Sequence, residues 1–95
     1  MRAMGIDMGT TTISILLMDG SNGELLVSRT IAHQAFLEGE HSFNRIQDPD
    51  KMVNLVQDTV KELAGIYGLI DCIGLTGQML GVLYVDAEGN AVSPL

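Results

Sequence analysis

Gly5-Ile6-Asp7-Met8-Gly9-Thr10-Thr11-Thr12 is the end of one strand, a tight turn and the start of the next. Met4, Ile6 and Met8 alternate with Gly5 and Asp7, the period of a strand with two distinct faces. Gly9 lets the backbone turn sharply and approach a ligand closely. Thr10, Thr11 and Thr12 place hydroxyls and free backbone N–H groups at the tip, before Ile13, Ile15 and Leu17 resume a strand. A carboxylate beside such donors suits a phosphate with its metal: the donors hold phosphate oxygens and the carboxylate holds Mg²⁺ directly or through water. The same spacing also suits a plain turn in which Asp7 accepts from the local backbone, and spacing alone leaves both readings open.

Working outward, residues 3–9 and 12–18 are predicted as the first two strands. Asp19-Gly20-Ser21-Asn22-Gly23 is a turn with two glycines available for positive φ. Residues 24–33 form a third strand, where Arg29 shares a face with Leu25, Val27 and Ile31 and so marks an edge. The three strands read as an antiparallel meander. Residues 34–47 are polar and irregular. Asp48-Pro49 then opens a helix, Asp48 as N-cap and Pro49 at the first helical position. Lys51 stands where a capping box would need Glu. Met52, Val56, Val60, Leu63 and Tyr67 make one apolar stripe, and Gly68 is the C-terminal stop.

Residues 70–76 form the fourth strand. A helix between two strands of one sheet is a crossover, which makes the strands parallel. The fourth strand is therefore expected to run parallel to the first. That brings Gly9-Thr10-Thr11 and Gly77-Gln78-Met79 to the carboxyl ends of parallel strands, where open α/β sheets bind ligands. Residues 81–86 are predicted as a fifth strand, residues 86–90 as a turn, and Ala91 to Leu95 as the start of another segment.

Composition narrows the function classes. The 95 residues are enough for one small domain, and an apolar fraction of 46% can supply its core. Aromatics are only 4%, so Ile, Leu, Val and six Met must build that core. The net charge is −7, and the five bases Arg2, Arg29, Arg45, Lys51 and Lys61 form no cluster. Sequence-independent nucleic-acid binding needs a basic stripe and is set aside. Cys72 is the single cysteine, so no intrachain disulfide exists; its apolar strand predicts an inert core thiol. No apolar run reaches membrane-spanning length, and Asp7 comes too early for a signal-peptide core. The expected location is cytoplasmic.

Asp7-Met8-Gly9-Thr10-Thr11 resembles the first phosphate motif of the actin, Hsp70 and sugar kinase superfamily. Gly74-Leu75-Thr76-Gly77-Gln78-Met79 resembles the substrate-side signature of the FGGY carbohydrate kinases, as do its continuation through Asp86 and the Gln47-Asp48-Pro49 that precedes the helix. The resemblance covers nearly all of the chain. It implies an α/β, ribonuclease H-like (actin-like ATPase) half-domain: a mixed sheet with antiparallel strands 1-2-3, a crossover helix and a parallel strand 4. It implies an ATP-dependent kinase acting on a sugar of the pentulose, heptulose or polyol class. Asp7 would then hold Mg²⁺, Gly9, Thr10, Thr11 and Thr12 the ATP phosphates, and Gln78, Met79 and Leu80 the sugar. The chain would be the N-terminal part of the enzyme, with the catalytic base and the adenosine-binding lobe beyond residue 95.

Two departures from the family pattern stand out. Some relatives carry a base shortly after the threonines, where this chain has Ile13 and Ser14. Pentulose kinases commonly have His after Gln-Met, where this chain has Leu80. An Hsp70- or actin-like ATPase lobe and a non-catalytic sugar-binding protein of the same fold are the alternative classes. His33 and His41 are expected to be solvated loop residues. Asp58 and Glu62 are expected on a solvated helix face. An outer strand with unpaired backbone groups and exposed apolar patches predicts self-association into a homo-oligomer.

Overall fold

The computed structural model describes residues 1–39, 46–78 and 81–95. Its elements are β1 (Arg2–Met8), β2 (Thr12–Asp19), β3 (Leu25–Ala32), α1 (Pro49–Tyr67) and β4 (Cys72–Gly77). They form one four-stranded sheet in the order β3-β2-β1-β4. β1 and β2 pair antiparallel, as do β2 and β3. β4 pairs parallel with β1, with Asp7 opposite Thr76 and Met8 opposite Gly77. The meander, the crossover and the parallel fourth strand are as the periodicities require.

The β2–β3 turn closes on Asp19. Its Oδ1 accepts from the Ser21 backbone N–H at 2.9 Å and from the Ser21 hydroxyl at 2.6 Å. Those bonds hold the Asp19 carboxyl below its usual range. Gly23 takes the positive φ of 73° that the turn needs.

Helix α1 begins where its caps dictate. Asp48 accepts from the N–H groups of Asp50 and Lys51 at 3.1 and 3.2 Å, which satisfies two otherwise orphaned donors. Gly68, at φ 87°, ends the helix by returning its N–H to the Ala64 carbonyl. Lys51, unable to form a capping box, donates instead to the Gln34 carbonyl at 2.8 Å.

Met52 and Leu63 of the helix stripe are fully buried against Met4 and Ile6 of β1 and Ile13, Ile15 and Leu17 of β2. Val56, Val60 and Tyr67 flank them, half-buried. At the edge of this layer Arg29 of β3 pairs with Glu62 of α1 at 2.8 Å. The contact holds the Glu62 carboxyl below its usual range and raises Arg29. Glu62 therefore has a partner on the sheet, while Asp58 is exposed.

Three expectations fail. Residues 81–86 do not form a sheet strand: only a bridge between Val85 and Ala91 is made. Asp86 takes the N–H groups of Glu88 and Asn90 at 3.0 and 2.8 Å, and Gly89 has φ 84°. The chain thus doubles back on itself here and pairs with no strand of the sheet. Cys72 is exposed, not a core residue. It lies opposite Ala3, on the face turned away from α1, because residues 3 and 72 are out of phase with the buried Met4. His33 is 1% exposed, not solvated. The expectation for His41 falls on a residue outside those described.

Removing side-chain volume at the centre of the sheet–helix layer tests this core. Leu63→Ala is expected to destabilise the chain by about 2–5 kcal/mol, while the exposed Asp58→Ala stays within about 0.5 kcal/mol. Urea unfolding measures both; equal effects would place the core elsewhere.

Candidate functional site

The hairpin between β1 and β2 is built around one close approach. The Gly9 N–H donates to the Thr12 carbonyl at 2.9 Å. A Cβ on Gly9 would stand 2.8 Å from that oxygen, so only glycine fits. The requirement is steric rather than one of backbone handedness, because Gly9 is not among the residues with positive φ.

All four carbonyls of residues 9–12 are tied back to the protein. Gly9 O accepts from Gln78 Nε2 at 3.2 Å. Thr10 O accepts from His33 Nε2 at 2.7 Å, Thr11 O from the His33 backbone N–H at 3.2 Å, and Thr12 O from Gly9. In a trans peptide the C=O and the next N–H point in opposite directions. Anchoring the Gly9 and Thr10 carbonyls inward therefore turns the Thr10 and Thr11 N–H groups outward. Among the described residues neither has a hydrogen-bond partner, and both threonines are exposed. A cluster of outward N–H groups is an anion-binding concavity.

Asp7 sits one strand residue before this loop, exposed on the sheet face away from α1. Ser14 and Thr76 lie beside it in register on β2 and β4. The three line a shallow depression of about 400 Å³ across that face. Among the described residues the Asp7 carboxylate has no hydrogen-bond or ion-pair partner. Nor do those residues gather three or more His, Cys, Asp or Glu around a common point. One free carboxylate near outward backbone N–H groups could help hold Mg²⁺ of the kind bound mainly by phosphate and water.

Gln78 follows β4 at the same end of the sheet. Its amide makes a reciprocal pair with Gln47, Nε2 to Oε1 at 2.8 Å one way and 3.5 Å the other. Gln47 is 2% exposed. Its backbone exchanges two 2.9 Å bonds with Leu95, and it bridges to Phe36. Beside this pair a cleft of about 220 Å³ opens between the end of β4, the start of α1 and Leu83. Met79 and Leu80, the other two residues expected on the sugar side, lie outside the described residues. Thr12, the last residue of the expected phosphate set, already belongs to β2.

His33, Gln47 and Thr76 are the residues that sequence reasoning left out of the site. Thr76 had a usable signal, since it lies two residues before Gln78 and in register with Asp7 once β4 is parallel to β1. Gln47 was visible only as part of the Gln47-Asp48-Pro49 resemblance, which gave it no place in the site, and His33 had no signal, because their partners are an amide and backbone carbonyls distant in sequence.

A mixed sheet with a tight hairpin loop after β1, and a parallel strand delivering a second loop beside it, is the fold of the actin-like ATPase class. The family model for the FGGY carbohydrate kinase N-terminal domain matches residues 2–95, and the chain belongs to that family. It is 27% identical to a xylulose kinase from Staphylococcus xylosus over 93 residues, 96% of this chain and 19% of that protein. Its backbone superposes on the ligand-bound xylulose kinase from Lactobacillus acidophilus with a TM-score of 0.82, at 22% identity, covering 98% of this chain and 19% of that one. Against the Plasmodium falciparum glycerol kinase solved with ADP the TM-score is 0.73, at 21% identity, with 98% and 19% covered. The chain thus spans about a fifth of the length of these relatives.

Gly9→Ala is expected to force the Thr12 carbonyl to shift and to cost roughly 1–3 kcal/mol. Gly74→Ala, where an added Cβ meets nothing within 4 Å, is expected to leave the hairpin intact. Amide chemical shifts of residues 9–12 distinguish the two, and an unperturbed Gly9→Ala spectrum would contradict the close approach.

Proposed function

We propose that the chain is the N-terminal part of a cytoplasmic, ATP-dependent carbohydrate kinase that transfers the γ-phosphoryl group of ATP to a hydroxyl of a pentulose, heptulose or polyol. The observation that carries this reading is the pairing of loops at one end of the sheet. The Gly9–Thr12 turn, with its free N–H groups, and the Gly77–Gln78 turn follow parallel strands and are joined by the Gln78–Gly9 hydrogen bond at 3.2 Å. An anion site and a second cleft, largely apolar but bordered by the Gln78 amide, within one side chain of each other suit transfer between a phosphate and a hydroxyl.

In this reading the Thr10 and Thr11 N–H groups bind phosphate oxygens, and Gly9 permits the approach. Asp7 would hold Mg²⁺, which when bound neutralises charge on the transferring phosphoryl oxygens. Gln78 spans the two loops, and Met79 and Leu80 face the sugar. With Leu80 in place of an imidazole, the sugar side has one fewer hydrogen-bonding group at that position, which argues against carrying over a xylulose-like specificity unchanged. The proton acceptor for the sugar hydroxyl is assigned to sequence beyond residue 95. The family's lobed architecture also fits the apolar surface on this chain: Ile73 and Leu75 of β4 and Leu69 before it are exposed, a surface that favours self-association of residues 1–95 in isolation.

Two substitutions in the full-length protein test the reading. Asp7→Ala is expected to lower kcat/KM for sugar phosphorylation at least about a hundredfold, roughly 2.7 kcal/mol of transition-state stabilisation, without unfolding the protein. Near-normal turnover would remove Asp7 from the mechanism. Leu80→His is expected to change relative kcat/KM across a panel of ketoses and polyols, because a placed hydrogen-bonding group rejects substrates that lack its partner far more strongly than an apolar one does. An unchanged profile would mean that position 80 does not touch the sugar.

A further inference from the structure

We propose that His33 is the positioning residue of the phosphate loop, acting as a neutral imidazole whose Nε2–H fixes the Thr10 carbonyl and so aims the Thr11 N–H at the nucleotide. The inference rests on the phosphate-loop reading above and adds a residue that touches neither nucleotide nor sugar in that reading.

The tautomer follows from the partners. The Ala35 N–H donates to Nδ1 at 3.0 Å, so Nδ1 carries a lone pair. The Thr10 carbonyl can only accept, so the proton sits on Nε2, 2.7 Å away. At 1% exposure the ring is shielded from bulk solvent. The backbone of the same residue holds Thr11 O through its N–H at 3.2 Å. One residue therefore pins two successive peptide planes of the loop, and planarity fixes the N–H on the far side of each.

The chain is bent to put the ring there. Gln34, the next residue, has φ 50°, a left-handed conformation rare for a residue with a side chain. Its carbonyl is held by Lys51 Nζ, and Ala35 is packed in the core. A ring serving only as core filler needs neither this reversal nor a hydrogen bond at each nitrogen.

Two amide substitutions separate the functions of the two nitrogens. Asn places its oxygen near the Nδ1 position and keeps the Ala35 bond, but cannot reach Thr10. Gln places its NH₂ near the Nε2 position and can still hold the Thr10 carbonyl. In the full-length protein, affinity for ADP with Mg²⁺ is measured by titration calorimetry, stability by melting temperature, and protection of residues 9–12 by hydrogen exchange with and without ADP. His33→Asn is expected to fold and to weaken ADP binding by about tenfold or more, while His33→Gln binds within about threefold of wild type, since one lost charge-facing contact is typically worth a factor of this size. Equal ADP affinity in the two variants overturns the proposal, as does a loss of affinity that tracks melting temperature alone. If ADP also fails to protect residues 9–12 in the wild type, the phosphate-loop reading falls with it. Protection in the wild type with equal affinities in the variants removes His33 alone.

Discussion

Parallel pairing of β4 with β1 is the constraint on which the site depends. Its register, Asp7 to Thr76 and Met8 to Gly77, brings two segments nearly seventy residues apart in sequence to one end of the sheet. An antiparallel β4 would have carried Gly77 and Gln78 to the opposite edge. The parallel direction is enforced by α1, since a crossover must return the chain to the starting edge before the next strand begins. The buried contacts of Met52 and Leu63 with the β1–β2 layer are thus also what places the second loop beside the first. Core packing and site assembly are one problem in this fold.

On the proposed reading, an acidic chain binding a polyanion needs a source of positive potential other than side-chain cations. Among the described residues no lysine or arginine makes a hydrogen bond or ion pair with the Gly9–Thr12 loop, and the Asp7 carboxylate before it adds to the negative field. Backbone N–H dipoles answer this in part. They are fixed partial charges, carry no side-chain entropy to lose, and work only when their orientation is locked. A carboxylate in the same place is tolerable if a divalent cation arrives with the phosphate, because the ion's charge then dominates the local field. The lack of a base after the threonines therefore fits a loop that relies on geometry and on the ion bound to its ligand.

The sequence made some of this legible because certain signals act over short range. Asp48 and Gly68 bound the helix through their own backbone neighbours, and strict alternation in Met4–Met8 and Ile13–Leu17 chose the buried face. From these the meander, the crossover and the common end of the two loops followed. What stayed hidden depends on contacts that sequence distance conceals. Gln47 is an ordinary polar residue until Leu95 and Gln78 surround it. His33 reads as a loop histidine until the reversal at Gln34 carries it under Thr10. The fifth strand is absent for a different reason: residues 81–86 meet only the short return segment across the Asp86–Asn90 turn, through the Val85–Ala91 bridge and the Val92 N–H to the Tyr84 carbonyl, and join no strand of the sheet. Cys72 differs from expectation because apolar neighbours in sequence do not ensure two covered faces, and β4 is exposed along its whole length.

The carbonyls of residues 9–12 show why so small a loop draws on so much of the chain. A four-residue turn that must present N–H groups to a ligand has to dispose of its carbonyls, and water would hold them only transiently. Here each has a protein donor, and the donors come from three directions: the hairpin's own Gly9, the end of β3 through His33, and the end of β4 through Gln78. Gln78 is in turn held by Gln47, which sits just before α1. Segments bordering β3, α1 and β4 thus contribute to the orientation of two outward N–H groups. Ordering those groups during folding removes that cost from the binding step, which is the advantage of a preorganised dipole over a flexible cation. It also explains why the loop's sequence can be as plain as Gly-Thr-Thr-Thr: its chemistry lies in the backbone, and the side chains that aim it are elsewhere.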